Sequence, residues 1–285
     1  MLPEHRAFAL EQIARIDSGE ASVFADTQGT GDQLALELLG DAGAGKPAGV
    51  CYACWFAGAP RVQIALAQDA PQYGPRAGDL IEAVMARAGC GRCTVWLRAD
   101  NPQLIAYLTE RFHPAPDCGA HFYAATEYVW PKEQPLPRIP AEPLRFAPYQ
   151  RSMLNAYLTL LDRAMTFADP PPRFAAQPEV HGPRLQALCD QQGFEAAYWG
   201  DALIGLYERS GAEIDLLAMD PACQRRGWGA AILTRALEQV FARTDAPAAR
   251  LYAVDWNPRA QSFYTTYGMR PSGHSHRLCI DRRPT

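Results

Sequence analysis

The sequence predicts a mixed α/β fold in two domains, on three observations. Strand-like and helix-like patterns alternate through the second half of the chain, which is the pattern of a mixed α/β architecture. The 285 residues exceed the roughly 150 of a typical single domain. A proline-rich stretch at 131–149 interrupts the chain near its midpoint, and its prolines favour extended backbone and break helices. The expected domains are 1–135 and 136–285, joined by a linker at about 131–143.

The composition excludes several classes. Hydrophobic residues at 48% and charged residues at 20% are ordinary for a globular protein, which argues against disorder. A formal charge of −4 is a poor start for a nucleic-acid binder, whose affinity comes from neutralised phosphates, so no nucleic-acid partner is expected. No apolar run is long enough to cross a membrane, and the first residues carry charges throughout without the apolar core of a signal peptide. The expected location is the cytoplasm, without a membrane partner, as a monomer or homodimer.

The eight cysteines include two CxxC pairs, Cys51 with Cys54 and Cys90 with Cys93. Such pairs can hold zinc. Cys51 and Cys54, however, lie in the strand-like run GVCYACWF, where positions i and i+3 point to opposite faces. Cys90 and Cys93 flank a glycine turn and can converge. Reduced structural thiols are the expectation and no metal is expected.

In the second half, EPLRFAPY reads as a first strand and MLNAYLTLLDRAM as a helix. RLQALCDQQG is a shorter helix ending at Gly193, after a loop-like stretch at 167–183. AAYWGDALIGLYERSG reads as a hairpin turning at Gly200 and Asp201. AEIDLLAMD is a strand. A helix follows from about Trp228 to Arg243, with Leu233, Ala236, Leu237, Val240 and Phe241 as its apolar stripe. ARLYAVDW is a strand, NPRAQSFYTTYG a helix and HRLCID a last strand.

The segment from Ala212 to Leu233 carries the chemistry. A strand ends at Met219, and Gln224, Arg225, Arg226, Gly227, Trp228 and Gly229 open the following helix. Unpaired N–H groups at a helix N-terminus form an anion site, glycines let a pyrophosphate approach closely, and the two arginines add positive charge. Neither the P-loop pattern GxxxxGK[ST] nor the dinucleotide pattern GxGxxG is present in this segment.

These residues resemble the GNAT superfamily of acyl-CoA-dependent N-acetyltransferases. The family's pyrophosphate loop reads Q/R-x-x-G-x-G/A after a strand, which Gln224 to Gly229 fits. A second family motif, N-x-x-A-x-x-F-Y-x-x-x-G-F, corresponds to Asn257, Ala260, Phe263, Tyr264 and Gly268, with Met269 in place of the final Phe. The resemblance covers about 142–285 and implies acetyl-CoA as co-substrate. It places the pyrophosphate on backbone amides from Arg225 to Gly229, next to Ala230. Leu217, Ala218 and Met219 would line the pantetheine arm, with Leu217 and Met219 pairing to it by backbone. Asn257, Phe263 and Tyr264 complete the cofactor set. It further implies direct acetyl transfer to an amine, which must attack as the neutral base. Glu213 is the first candidate to remove the proton, Asp215 the alternative on the same strand face, and Tyr264 the acid that protonates the departing thiolate. A non-catalytic acyl-CoA-binding or interaction protein is the second reading.

The first half resembles the second. Residues 60–88 match 212–240 with Gln72 on Gln224, an offset of 152. Residues 95–112 match 251–268 with Asn101 on Asn257, an offset of 156. The four-residue difference is expected in the intervening loop. Gly227 then corresponds to Pro75, Glu213 to Arg61 and Tyr264 to Leu108, so loop, base and acid are lost together. The expectation is two tandem GNAT-like domains, each a mixed, mostly antiparallel sheet flanked by helices, with catalysis in the second alone. The acceptor amine is not legible.

Overall fold

A computed structural model describes residues 3–40, 47–56, 59–67, 69–114, 122–139, 144–168 and 171–281. Residues 140–143 of the proline-rich stretch and 169–170 of the later loop lie outside the described residues. The chain divides into two compact units. One holds Met1–Glu127 together with Ser272–Thr285, and the other holds Tyr128–Pro271. The division between the units thus comes earlier than the proline-rich stretch suggests. The last strand, which reads as part of the second half, belongs to the first unit.

The first unit runs α1 (Pro3–Ala14), α2 (Ser18–Thr27), β1 (Gln33–Leu39), β2 (Gly49–Phe56), β3 (Ala59–Leu66), α3 (Tyr73–Arg87), β4 (Arg92–Arg98), α4 (Pro102–Arg111) and β5 (His113–Pro114). β6 (Phe122–Pro131) leads into the second unit, which continues as β7 (Arg145–Ala147), α5 (Leu154–Ala164), α6 (Pro178–Asp190), β8 (Phe194–Trp199), β9 (Ala202–Ser210), β10 (Glu213–Met219), α7 (Trp228–Arg243), β11 (Ala248–Val254) and α8 (Pro258–Tyr267). β12 (Arg270–Asp281) ends the chain, and its residues Ser275–Asp281 pair antiparallel with β4.

Both units repeat one strand order. β1, β2 and β3 are antiparallel neighbours and β3 is parallel to β4. β7, β8, β9 and β10 are antiparallel neighbours and β10 is parallel to β11. The parallel registers agree with the repeat. Arg61 pairs with Thr94 and Glu213 with Arg250, so the partners are displaced by 152 and 156 residues, the two offsets seen in the sequence. The four-residue difference is not in the loop after the helix, since four residues separate α3 from β4 and four separate α7 from β11. It is spread upstream: β10 ends one residue further on in the repeat, eight residues rather than six connect strand to helix, and α7 has 16 residues against 15 in α3. Ile81, Val84 and Met85 in α3 and Leu233, Ala236 and Leu237 in α7 are all buried.

The apolar stripe of α7 packs over β9, β10 and β11, while α5 and α6 cover the other face. Burying a side chain such as Leu233 contributes about 1.5–3 kcal/mol. A polar clamp adds to this. Arg235 of α7 donates Nε and Nη2 to Glu195 of β8 at 2.8 and 2.9 Å, and the Tyr207 hydroxyl donates to the same carboxylate at 2.6 Å. One boundary differs from expectation: α6 starts at Pro178, inside the stretch read as loop, and contains Pro183. Proline is favoured at the first helical position, where its missing donor has no partner to lose.

The thiols divide by face. Cys51 packs in one core of the first unit and Cys54 in the other, which is the opposition expected from their spacing on β2. Desolvation in that core pushes the Cys51 thiol up. Cys90 donates to the Arg92 carbonyl at 3.0 Å. Cys279 is disulfide-bonded, which departs from the expectation of reduced thiols throughout. Among the described residues no helix is long and apolar enough to cross a membrane.

Candidate functional site

β10 and β11 pair at Glu213 with Arg250 and at Ile214 with Leu251, and then part. On its other side β10 stays bonded to β9 as far as Met219 opposite Gly205, with a bulge between Glu213 and Leu216. The extra residue flips the side-chain alternation. Ile214, Leu217 and Met219 pack toward α7 and α8, and Leu216 and Ala218 pack toward α5 and α6. The backbone of Leu217 to Met219 is therefore bonded on the β9 side and open toward β11. A bulge bends a strand and increases its twist, which accounts for the parting.

β10 leads into an anion-binding turn. Asp220 accepts from the Ala222 N–H at 2.9 Å and from Arg163 at 2.7 Å, and a 3-10 turn spans Pro221–Cys223. Arg225 (φ 65°) and Gly227 (φ 77°) are both left-handed, and Gly227 caps α7 without a side-chain hydrogen bond. Left-handed backbone is unfavourable for Arg and free for Gly. Among the described residues, none of the N–H groups from Arg225 to Gly229 donates within the chain. Gln224, Arg225, Arg226 and Gly227 are exposed. Five free donors at the positive end of a 16-residue helix suit a phosphate.

The surrounding cofactor residues take distinct places. A Cβ on Gly229 would lie 3.5 Å from Met219 and 3.6 Å from Phe263, so the end of β10, the start of α7 and α8 converge there. Ala230 donates its N–H to the Gly227 carbonyl and is part of the first turn. The Asn257 side chain accepts from the Ala260 N–H at 3.2 Å and caps α8. Tyr264 is buried, packed against Tyr128 with ring centroids 5.6 Å apart, and burial pushes its phenol up, keeping it protonated at neutral pH.

The two carboxylates differ. Glu213 accepts from Arg250 Nε at 3.3 Å. Asp215 is solvent-exposed, but desolvation, together with the nearby Glu208 carboxylate, raises its pKa against the opposing Ser210 hydrogen bond and the Arg184 and Arg250 charges. The bulge between them removes the assurance that a two-residue spacing puts both on one face. Glu208, only 1% exposed and paired with Arg184 from α6, was not singled out from sequence. Its signal was a charged pair, Glu208 and Arg209, inside an otherwise apolar strand. Trp199 is 45% exposed, whereas Tyr207 is fully buried.

Residues 168–269 match the family model described as Acetyltransferase (GNAT) family. The chain carries a GNAT domain. The GNAT fold also extends beyond the matched residues. A GCN5-related N-acetyltransferase from Sphaerobacter thermophilus is similar at a TM-score of 0.53 and 16% identity, covering 99% of this chain and 94% of that one. A GCN5-related N-acetyltransferase from Kribbella flavida gives 0.53 at 15% identity, covering 94% and 95%. A Staphylococcus epidermidis protein described as functionally unknown gives 0.56 at 12%, covering 91% and 97%. No curated protein matches the chain significantly. GNAT proteins use acetyl-CoA, and the parted strands with their loop of free amides lie within the matched residues.

Among the described residues, the corresponding features are absent from the first unit. β3 and β4 stay paired through Arg61, Val62, Gln63 and Ile64, past the point where β10 and β11 part, and β3 meets β2 without a bulge. Pro75 lies inside α3 rather than before it. A Cβ on Gly74 would lie 2.7 Å from the Tyr107 ring of α4, and Arg111 of α4 donates to the Pro75 carbonyl at 3.2 Å. The start of α3 is thus occupied by α4.

Proposed function

We propose that the protein is an acetyl-CoA-dependent N-acetyltransferase acting on an amine, with its active site in the second unit. The observation that carries this is the parting of β10 and β11 beside five free amides at the start of α7. Acetyl-CoA supplies the acyl group as a thioester. The amides of Arg225 to Gly229 hold its diphosphate, with Arg225 and Arg226 adding charge. The open backbone of Leu217 and Met219 binds the pantetheine amides, and Phe263 and Met219 shield the arm from water. Tyr264, kept protonated by burial, holds the proton that the departing thiolate sulfur takes.

The amine must lose a proton to attack, and of the two candidates Asp215 is the better base. Burial raises its pKa, which suits a proton acceptor, whereas the Glu213 carboxylate is engaged by Arg250. We assign Glu213 with Arg250 the task of fixing the start of β10. The first unit is proposed to keep the fold without catalysis, supported by its zipped β3–β4 pair and its blocked α3 start.

The test is intact-mass detection of acetyl transfer across an amine panel, alongside calorimetric CoA binding. The expected result is one CoA per chain and transfer to at least one amine. CoA binding without any transfer would favour an acyl-CoA-binding protein. No binding would overturn both readings.

A further inference from the structure

Trp199 has no part in the chemistry above, yet it lies beside it. It ends β8 at the two-residue turn of Gly200 and Asp201, and it is 45% exposed. Its ring is 5.4 Å from that of Trp228, centroid to centroid, with 34° between the planes. Trp228 is buried at the first position of α7, immediately after Gly227, and the Arg226 guanidinium lies 5.1 Å from its ring centroid. One side of Trp199 is therefore held by a fixed neighbour, while much of the ring remains open to solvent next to the free amides.

Strand order gives the direction. β10 has β11 on one side, where the strands part, and β9 and then β8 on the other. A CoA molecule whose diphosphate rests on the start of α7 carries pantetheine on one side of that diphosphate and a ribose-linked adenine on the other. With pantetheine directed into the β10–β11 gap, the adenine is directed toward the β8–β9 turn, where Trp199 stands. We propose that Trp199 is the stacking platform for the adenine of the bound acyl-CoA. This rests on the acyl-CoA reading above. A Trp already braced by Trp228 gives up little conformational freedom on binding, and aromatic stacking on a base needs no hydrogen-bond readout.

The experiment is calorimetric titration of the full chain with three probes: CoA, adenosine 3′,5′-bisphosphate and 4′-phosphopantetheine. Trp199→Ala is expected to weaken the first two by on the order of 10-fold and to leave the third unchanged, with Trp199→Phe retaining most of the wild-type affinity. Unchanged CoA affinity in Trp199→Ala overturns the proposal while leaving the acyl-CoA reading intact. Equal weakening of phosphopantetheine also overturns it, because the substitution then acts by disturbing the loop. A wild-type chain that binds none of the probes removes the acyl-CoA reading and this inference with it.

Discussion

Glu213 and Asp215 lie two residues apart, and non-local neighbours set them different tasks. Asp215→Asn is expected to lower kcat by roughly 100-fold or more, the scale of a general base, with CoA binding retained. Because its folded-state pKa is raised, ionising Asp215 opposes folding: the stability is fully present below the unfolded pKa and is lost as pH rises through the folded value. The same substitution should therefore raise Tm at pH 7 while it lowers turnover, and a lowered Tm would remove the argument. Glu195 has the opposite sign. Burial acts upward on it, but the hydrogen bonds from Arg235 and Tyr207 outweigh burial and hold it below its ordinary value. Its contribution is present above the ordinary carboxylate pKa and lost as pH falls through the depressed one. Thermal unfolding of Glu195→Gln should accordingly show a deficit at pH 7 that shrinks on acidification. None of these partners was legible in the sequence, because Arg250, Glu208 and Arg235 reach their carboxylates from other elements.

At the scale of elements much more was legible. The bounds of α7, the hairpin turn at Gly200 and the loop from Gln224 to Gly229 follow from periodicity and turn chemistry, which are local. The bulge in β10 and the parting from β11 do not, since both are properties of a pairing rather than of a run of residues. The α6 start was missed because Pro178 and Pro183 read as breakers, although the first opens a helix and the second is accommodated within it. Gly227 isolates one physical cause. No atom lies within 4 Å of a Cβ added there, so Gly227→Ala should cost about 1–2 kcal/mol of stability from left-handed backbone alone. An unchanged Tm would mean that the loop relaxes out of that conformation. In the first unit, restoring the missing glycine should achieve nothing. Pro75→Gly is expected to leave CoA stoichiometry at one per chain, because Tyr107 and Arg111 still cover the start of α3.

At the scale of the whole molecule, the repeat was readable as two offsets, and the parallel registers carry the same two numbers. What the sequence could not reveal is that the repeat does not divide the chain cleanly. Ser272–Thr285 belongs to the first unit, with Ser275–Asp281 bonded to β4 and Arg92 paired to Asp281 at 2.7 Å. A chain ending at Pro271 keeps every residue proposed for the active site. It should nonetheless lose the first unit's resistance to proteolysis, because β4 is left with an unpaired edge. Survival of the first unit as a protease-resistant fragment would contradict this. There is also a consequence in time. A ribosome delivers residues in order, and upstream domains usually fold while the rest is made. Here the first unit waits for the last strand to be synthesised, so the earlier half of the chain is the later one to be completed.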